Sequence, residues 1–362
     1  MTATSGPPLL DEARRQLDVC NACRYCEGYC AVFPALERRS GPLLAGDLAQ
    51  LANLCHDCRA CLHACMYAPP HEFGVNVPSL LGLARQESYE RFAWPPRLGP
   101  WAFRHPGAAV AGATGAGLAA AFAVALAAGG LAGGATFYEV VPYLAMLVPA
   151  LVLSAFAGAV LGAGFVRFWR AAGGTSRNLR DARLWLTASR EAMGLRWLGG
   201  GGGGCYYPDP ERPSGARRAL HGLVVAGLAL AFAATVVAAA LQDVLGQEPP
   251  YPVLSPPVLL GSLGGVAMIA GCTGLLALRP WRRDDPAGGG SRSLDVAFLV
   301  ALEAAAVTGM LTLALRATPA MGVVLVLHLA SLAALYVTAP YGKLVHGVYR
   351  FAALLRDAAD RD

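Results

Sequence analysis

The hydrophobic pattern divides the chain near residue 105. Before that point apolar and charged residues are mixed, with ten Arg and ten acidic residues in 1–105. Beyond it lie long uncharged runs of Ala, Leu, Val and Gly. Six runs read as membrane spans, at about 107–129, 142–166, 219–241, 257–278, 295–315 and 320–342. Each is near the ~20 apolar residues that a helix needs to cross a bilayer. Pro106, Pro142, Pro256, Pro257 and Pro319 stand near their starts, where the N–H that proline lacks would have had no helical partner. The Gly and Ala that line the spans suit close packing of helices in lipid. The expected fold class is mainly α, with an N-terminal α-helical domain over 1–105. A six-helix transmembrane bundle follows over 106–346, and a tail over 347–362.

The loops predict an orientation. Segment 167–218 carries ten Arg, segment 279–293 adds Arg279, Arg282, Arg283 and Arg292, and the tail adds Lys343, Arg350, Arg356 and Arg361. The alternate loops 129–141 and 242–256 have no basic residue, and the turn near 316–319 has only Arg316. The excess of basic residues on cytoplasmic loops places both termini and the Arg-rich loops in the cytoplasm, with the spans in the plasma (inner) membrane. Ser176–Trp197, where Arg, Leu and Trp interleave, reads as an amphipathic stretch at the membrane surface. The six glycines Gly199–Gly204 precede no Gly-Lys-Ser/Thr, so they read as a flexible insertion and not as a phosphate-binding loop.

Composition narrows the classes further. The chain is 55% hydrophobic and 15% charged, against about 25% charged in a soluble domain, which excludes a disordered chain and argues against a single soluble globule. The net charge of +5 gives no case for nucleic acid. The first nineteen residues lack an apolar core segment, so no secretory leader is expected. The cysteines then face a reducing compartment, where metal or cofactor ligation is favoured over disulfides.

Eight of the ten cysteines lie between Cys20 and Cys65. Cys20, Cys23, Cys26 and Cys30 have the spacing C-x2-C-x2-C-x3-C. Cys55, Cys58, Cys61 and Cys65 repeat it at a constant offset of 35 residues, with Arg24 matching Arg59 and Pro34 matching Pro69. Three cysteines at i, i+3 and i+6 wrap one corner of a compact cluster and leave its fourth iron to a thiolate from elsewhere. In two-cluster ferredoxins the fourth cysteine of each motif ligates the other cluster. One [4Fe–4S] cluster is therefore expected on Cys20, Cys23, Cys26 and Cys65, and a second on Cys55, Cys58, Cys61 and Cys30. Structural zinc sites usually pair their cysteines two and two, which fits this spacing poorly. Ala31 and Met66 stand where many ferredoxins have proline. His56 and His63 read as neighbours of the clusters or surface groups, and Cys205 and Cys272 as non-ligands.

Three histidines lie in or beside the spans. His221 opens the third span and His346 closes the sixth at the same depth, as the two axial ligands of a b-type haem would. His328 lies 18 residues before His346, or about 27 Å along one continuous helix, unless Pro340 kinks it. It is a weaker haem candidate, with helix–helix hydrogen bonding as the alternative. Glu303 is a carboxylate well inside a span and a candidate for proton delivery. His71 and Glu72, after the second motif, are expected where the soluble domain meets the membrane and are candidates for the same role.

The stretches Cys-Arg-Tyr-Cys-Glu-Gly-Tyr-Cys at 23–30 and Tyr-Ala-Pro-Pro-His-Glu-Phe-Gly-Val-Asn-Val-Pro at 67–78 resemble the tricarballylate and citrate utilisation protein B family. The resemblance runs over nearly the whole chain. It implies a membrane partner of a cytoplasmic FAD-dependent dehydrogenase, passing electrons through two [4Fe–4S] clusters to quinone. Pro340-Tyr-Gly-Lys343-Leu-Val-His346, with His328, is similar to the last span of the nitrate reductase gamma subunit, a dihaem cytochrome b. The third span offers only His221 as a partner, so this likeness supports one haem b. Lys343, the chain's single lysine, then becomes a candidate contact for a haem propionate or a residue reaching to the interface. The sequence thus favours a membrane electron-transfer subunit. The rivals are a membrane iron–sulfur redox sensor, for which no output domain is visible, and a zinc-stabilised scaffold or transporter.

Overall fold

The structure is a computed structural model that describes residues 7–131, 136–207, 211–279 and 289–361. Among these residues there is no strand. Six helices precede the apolar runs: α1 (Pro7–Cys23), α2 (Val32–Glu37), α3 (Ala45–Leu54), α4 (Ala60–His63), α5 (Val77–Phe92) and α6 (Leu98–Arg104). The chain continues as α7 (Pro106–Ala127), α8 (Phe137–Val140), α9 (Tyr143–Ala171), α10 (Ser176–Arg180) and α11 (Ala182–Met193). Then follow α12 (Ala216–Ala239, extended to Val244 by a π turn), α13 (Pro256–Ala277), α14 (Gly289–Ala314), α15 (Met321–Thr338, with a 3-10 turn Ala339–Tyr341) and α16 (Val345–Arg361).

Helices α7, α9, α12, α13, α14 and α15 are long and apolar enough to cross a membrane, which fits a multi-pass membrane protein. Leu144, Val152, Phe232 and Leu263 on these helices are more than half exposed, a surface that lipid would cover. Arg282, Arg283 and residues 132–135, on which the orientation argument draws, lie outside the described residues. Small residues bring α12 and α13 together. A Cβ on Gly227 would lie 2.8 Å from the Gly264 carbonyl oxygen, and one on Gly264 would lie 2.9 Å from that of Gly227.

Three expectations are corrected. The sixth span does not run on to His346. It ends at Thr338, the 3-10 turn holds Pro340, and Gly342 is extended, so His346 belongs to a separate helix, α16. A proline cannot supply the N–H of a continuing helix, so the chain turns here. The 27 Å spacing of His328 and His346 along one helix therefore does not hold. Next, residues 345–361 are not a plain tail. α16 buries Tyr349, Ala352, Ala353, Leu354 and Leu355 in the same core as Leu51, Leu54 and Leu81 of α3 and α5. Finally, Ser176–Trp197 does not turn its apolar side to lipid alone. Leu184 and Ala188 of α11 are buried in that core, and Trp185 meets Phe351 of α16 at 5.4 Å.

The second span overruns its expected end for a related reason. The last turns of α9 leave the apolar zone and enter the N-terminal domain, where Phe168 and Trp169 are buried. Phe168 stacks on Tyr349 at 5.3 Å, and Arg167 donates to the main-chain oxygens of Ala93 and Arg91. Tyr349 also meets Tyr89 and Phe92 of α5, so α5, α9 and α16 share one aromatic cluster.

The close α12–α13 crossing yields a prediction. Gly264→Val should cost about 1–3 kcal/mol by forcing the two backbones apart. Gly112→Val, where a Cβ meets nothing within 4 Å, should change stability by less than about 0.5 kcal/mol. Thermal unfolding in detergent, comparing the two variants, checks this.

Candidate electron-transfer site

The two cysteine motifs begin differently and converge. In the first, Cys20 and Cys23 close α1, Cys26 follows in a turn and Cys30 precedes α2. In the second, Cys55 caps α3, Cys58 lies in a loop, Cys61 is in α4 and Cys65 follows it. Arg24 and Arg59, matched by the 35-residue offset, both take the left-handed conformation, at φ 57° and 65°. The duplication in sequence is thus also a local duplication of backbone.

Cys20, Cys23, Cys26 and Cys65 line one cavity, which is open to solvent beside Tyr25 and Met66. Cys30, Cys55 and Cys58 line a second with Trp197, and Cys61 touches both. Each motif's fourth cysteine therefore faces the other motif's cavity. Among the described residues, no three His, Cys, Asp or Glu side chains converge as a single metal ion would require. The thiols instead ring a space, as ligands of a multi-iron cluster do. Burial pushes the thiols of Cys26 and Cys58 up to about 11 and that of Cys20 to about 12, and holds Cys30 and Cys61 well above the ordinary value. Thiols that resist ionising alone become thiolates when bound cations compensate the charge. The residues fit iron–sulfur clusters on this chemistry. The Asp57 amide donates to the Cys55 sulfur at 3.4 Å.

The glycine run is not a free insertion. A Cβ on Gly201 would fall 2.2 Å from the Tyr29 carbonyl oxygen, and one on Gly202 would fall 2.6 Å from the Tyr29 ring. The loop lies directly against the first motif, which only residues without side chains allow. Just after it the Tyr206 amide donates to the Cys58 carbonyl at 2.8 Å, and the Tyr206 ring stacks on His63 at 4.0 Å. Cys205 is buried near Cys58.

Beside the second cavity three arginines meet the main chain, Arg85 buried and Arg217 and Arg350 partly buried. Arg85 and Arg350 both donate to the Cys55 carbonyl, at 2.5 and 2.7 Å, and Arg217 donates to the Asp57 carbonyl at 2.9 Å. His56 is enclosed with them. Burial and the charges of Arg350 and Arg217 hold its pKa well below the ordinary histidine value, so its ring is neutral. None of the three arginines stood out in the sequence. Arg217 and Arg350 are four residues from His221 and His346, one helical turn on the same face.

His221 and His346 are brought together, with ring centroids 6.1 Å apart and planes nearly perpendicular at 87°. Two imidazoles that bind one metal from opposite sides, each through a nitrogen about 2 Å away, have centroids about 6 Å apart. The His346 Nδ1–H donates to the Lys343 carbonyl, which leaves Nε2 with its lone pair. Burial and the charges of Lys343 and Arg350 depress its pKa to about 3, so the ring is neutral. The His221 Nδ1 is buried without a hydrogen-bond partner. A buried orphan beside a neutral imidazole fits a metal-bound pair. His328 stands apart from them, its Nδ1 3.2 Å from the Thr308 hydroxyl and its ring against Gly309. Lys343, considered for a haem propionate, is ion-paired with Asp295 at 2.6 Å, and Arg279 binds the same carboxylate at 2.7 Å.

Glu303 accepts a hydrogen bond from Thr273 across α13 and α14. His71 packs on Tyr67 and Phe73, the Phe73 carbonyl accepts from Arg15, and the Asn76 amide donates to Gln16. The segment is thus anchored on α1, whose neighbours are α2, α3 and α5. The link to the spans runs through α5 and α6 instead.

Comparison with known proteins agrees in both halves. Residues 106–362 match the family model for citrate utilization protein B, and residues 13–91 match that for its Fer4-like domain. The chain is 41% identical to citrate utilization protein B of Escherichia coli, covering 97% of this chain and 92% of that protein. No solved structure matches it significantly.

The glycine loop carries a second prediction. Gly202→Val should lift the loop from Tyr29 and speed the loss of protein-bound iron on exposure to air. Gly215→Ala, with nothing within 4 Å of the added carbon, should leave that rate unchanged. Iron assays over time after opening anaerobic samples measure the difference.

Proposed function

The chain belongs to the citrate utilization protein B family, and from that premise we propose that it is a membrane electron-transfer subunit. In this reading it takes electrons from a reduced cytoplasmic FAD-dependent dehydrogenase and delivers them to the quinone pool. The Fer4-like domain points to iron–sulfur electron transfer. The observation that carries the finer reading is the order of sites from the solvent-open cysteines, through the second cavity, to His221 and His346. When bound, two [4Fe–4S] clusters and one haem b supply single-electron chemistry, and quinone takes up two electrons with two protons.

The chain's own residues would do the rest. Cys20, Cys23, Cys26 and Cys65 would hold the outer cluster, and Cys55, Cys58, Cys61 and Cys30 the inner one. His221 and His346 would hold the haem, with the Lys343 carbonyl orienting His346. The glycine loop and Trp197 would keep water from the inner cysteines. Glu303, held by Thr273, is the carboxylate inside the bundle that could supply protons to quinone. The Arg-rich loops and both termini would face the cytoplasm, where the dehydrogenase is reached.

Anaerobically purified protein should contain about eight iron and eight sulfide per chain. Cys30→Ala should damage the cluster of Cys55, Cys58 and Cys61 more than that of its own sequence neighbours. Electron paramagnetic resonance (EPR) of the variant is the measurement, and loss confined to the first motif's signal would defeat the cross-ligation.

His221→Ala and His346→Ala should each abolish one and the same low-spin b-type spectrum, while His328→Ala keeps it. Optical spectra of protein from haem-replete cells decide this, since a haem-free wild type would leave the clusters to reduce quinone. In the same preparations, Glu303→Gln should slow quinone reduction at unchanged cofactor content. A full rate would move the proton donor elsewhere.

A further inference from the structure

The two cysteine sites differ sharply in their surrounding charge, although the motifs are copies. At the first, Arg24 is 57% exposed and ion-paired with Glu37. At the second, Arg85, Arg217 and Arg350 close on the main chain of Cys55 and Asp57 from three different helices. Their hydrogen bonds there go to carbonyl oxygens, not to carboxylates, and Arg350 reaches the Asn53 carbonyl as well. The nearest buried acid, Asp57, is itself 3.5 Å from Arg59.

Three guanidinium groups gathered at one site, Arg85 buried and Arg217 and Arg350 partly buried, repel one another and lose part of their hydration. Such a group is stable only near a compensating anion. A cluster on four thiolates is a net anion, and reduction adds another negative charge to it. Positive charge fixed nearby at low dielectric therefore favours the reduced state and raises the reduction potential.

We infer that Arg85, Arg217 and Arg350 make the Cys55–Cys58–Cys61–Cys30 site the more easily reduced of the two, so that electrons entering at the exposed first site are drawn inward toward the membrane helices. They are tuning residues that act through charge and touch no substrate. Arg217 and Arg350 carry this charge on the same helix faces as His221 and His346. The inference rests on the iron–sulfur reading above.

The test is an EPR-monitored redox titration of the whole protein in detergent, with the two signals assigned through Cys23→Ser and Cys58→Ser. In the wild type the second site should have the higher midpoint, and the reverse order overturns the inference. Arg350→Gln and Arg217→Gln should each lower the second-site midpoint by at least the ~59 mV that a tenfold change in a one-electron equilibrium represents. The first-site midpoint should shift less. Arg350→Lys, which keeps the charge, should retain most of the wild-type value. Equal shifts at both sites, no shift, or a Lys variant as low as the Gln variant would overturn the inference. If both Gln variants lose their iron, the order of the wild-type midpoints decides. A wild type without iron–sulfur signals would instead defeat the proposed function, and this inference with it.

Discussion

The fold depends on burial of one face of α16. After the sixth membrane helix ends at Thr338, the chain turns back and places Tyr349, Ala352, Ala353, Leu354 and Leu355 into the core of the cysteine domain. These residues are at most 1% exposed, so the last helix of the chain is as interior to that domain as Leu51 or Leu81. Burial of this kind is non-directional but large, at roughly 25 cal/mol for each Å² of apolar surface. It joins the two ends of the sequence and holds the domain against the bundle. The same helix carries His346 and Arg350, so the packing that builds the domain also sets the distance between the second cysteine site and the histidine pair.

A second constraint is electrostatic. The cysteine region combines thiols whose ionisation is opposed by burial with buried or partly buried arginines, which keep their charge. Each set is costly alone, because an isolated charge or an unpaired polar group loses its hydration in the interior. In the proposed reading bound iron would balance them: thiolates would bond the metal, and the guanidinium groups would offset the resulting negative charge. The bundle shows the same economy. Asp295 sits between Arg279 and Lys343, tying the ends of α13 and α14 to the turn before α16. The single lysine thus serves an ion pair at the base of the helices.

Close backbone approach shapes both halves. Gly227 and Gly264 let α12 and α13 meet where larger residues would hold them apart, as helices in lipid do when packing drives association. Gly201 and Gly202 let a loop rest on Tyr29 at the first motif and deliver the Tyr206 amide to Cys58. A glycine run of this sort reads as flexible in one dimension. Its surroundings show a fitted strip.

Periodicity and spacing were enough for the helical class, the six apolar helices and the duplicated cysteine motifs. Each of these is a local property, written in runs of about 20 apolar residues or in offsets of three. The pairing of His221 and His346 was legible too, since one lies near the start of the third apolar run and the other just past the end of the sixth. The grouping of thiols around two cavities, the break at Pro340 and the insertion of α16 into the domain came only with folding. So did the gathering of Arg85, Arg217 and Arg350 at the main chain of Cys55 and Asp57, and the anchoring of Phe73 and Asn76 on α1. Arg350 and Cys55 are 295 residues apart, and no local pattern reports a contact of that range. In the sequence Arg217 and Arg350 were indistinguishable from the other arginines of the segments between and after the spans. What separates them is the main-chain oxygens they meet, that of Asp57 for Arg217 and those of Asn53 and Cys55 for Arg350, and that is a property of how distant segments pack.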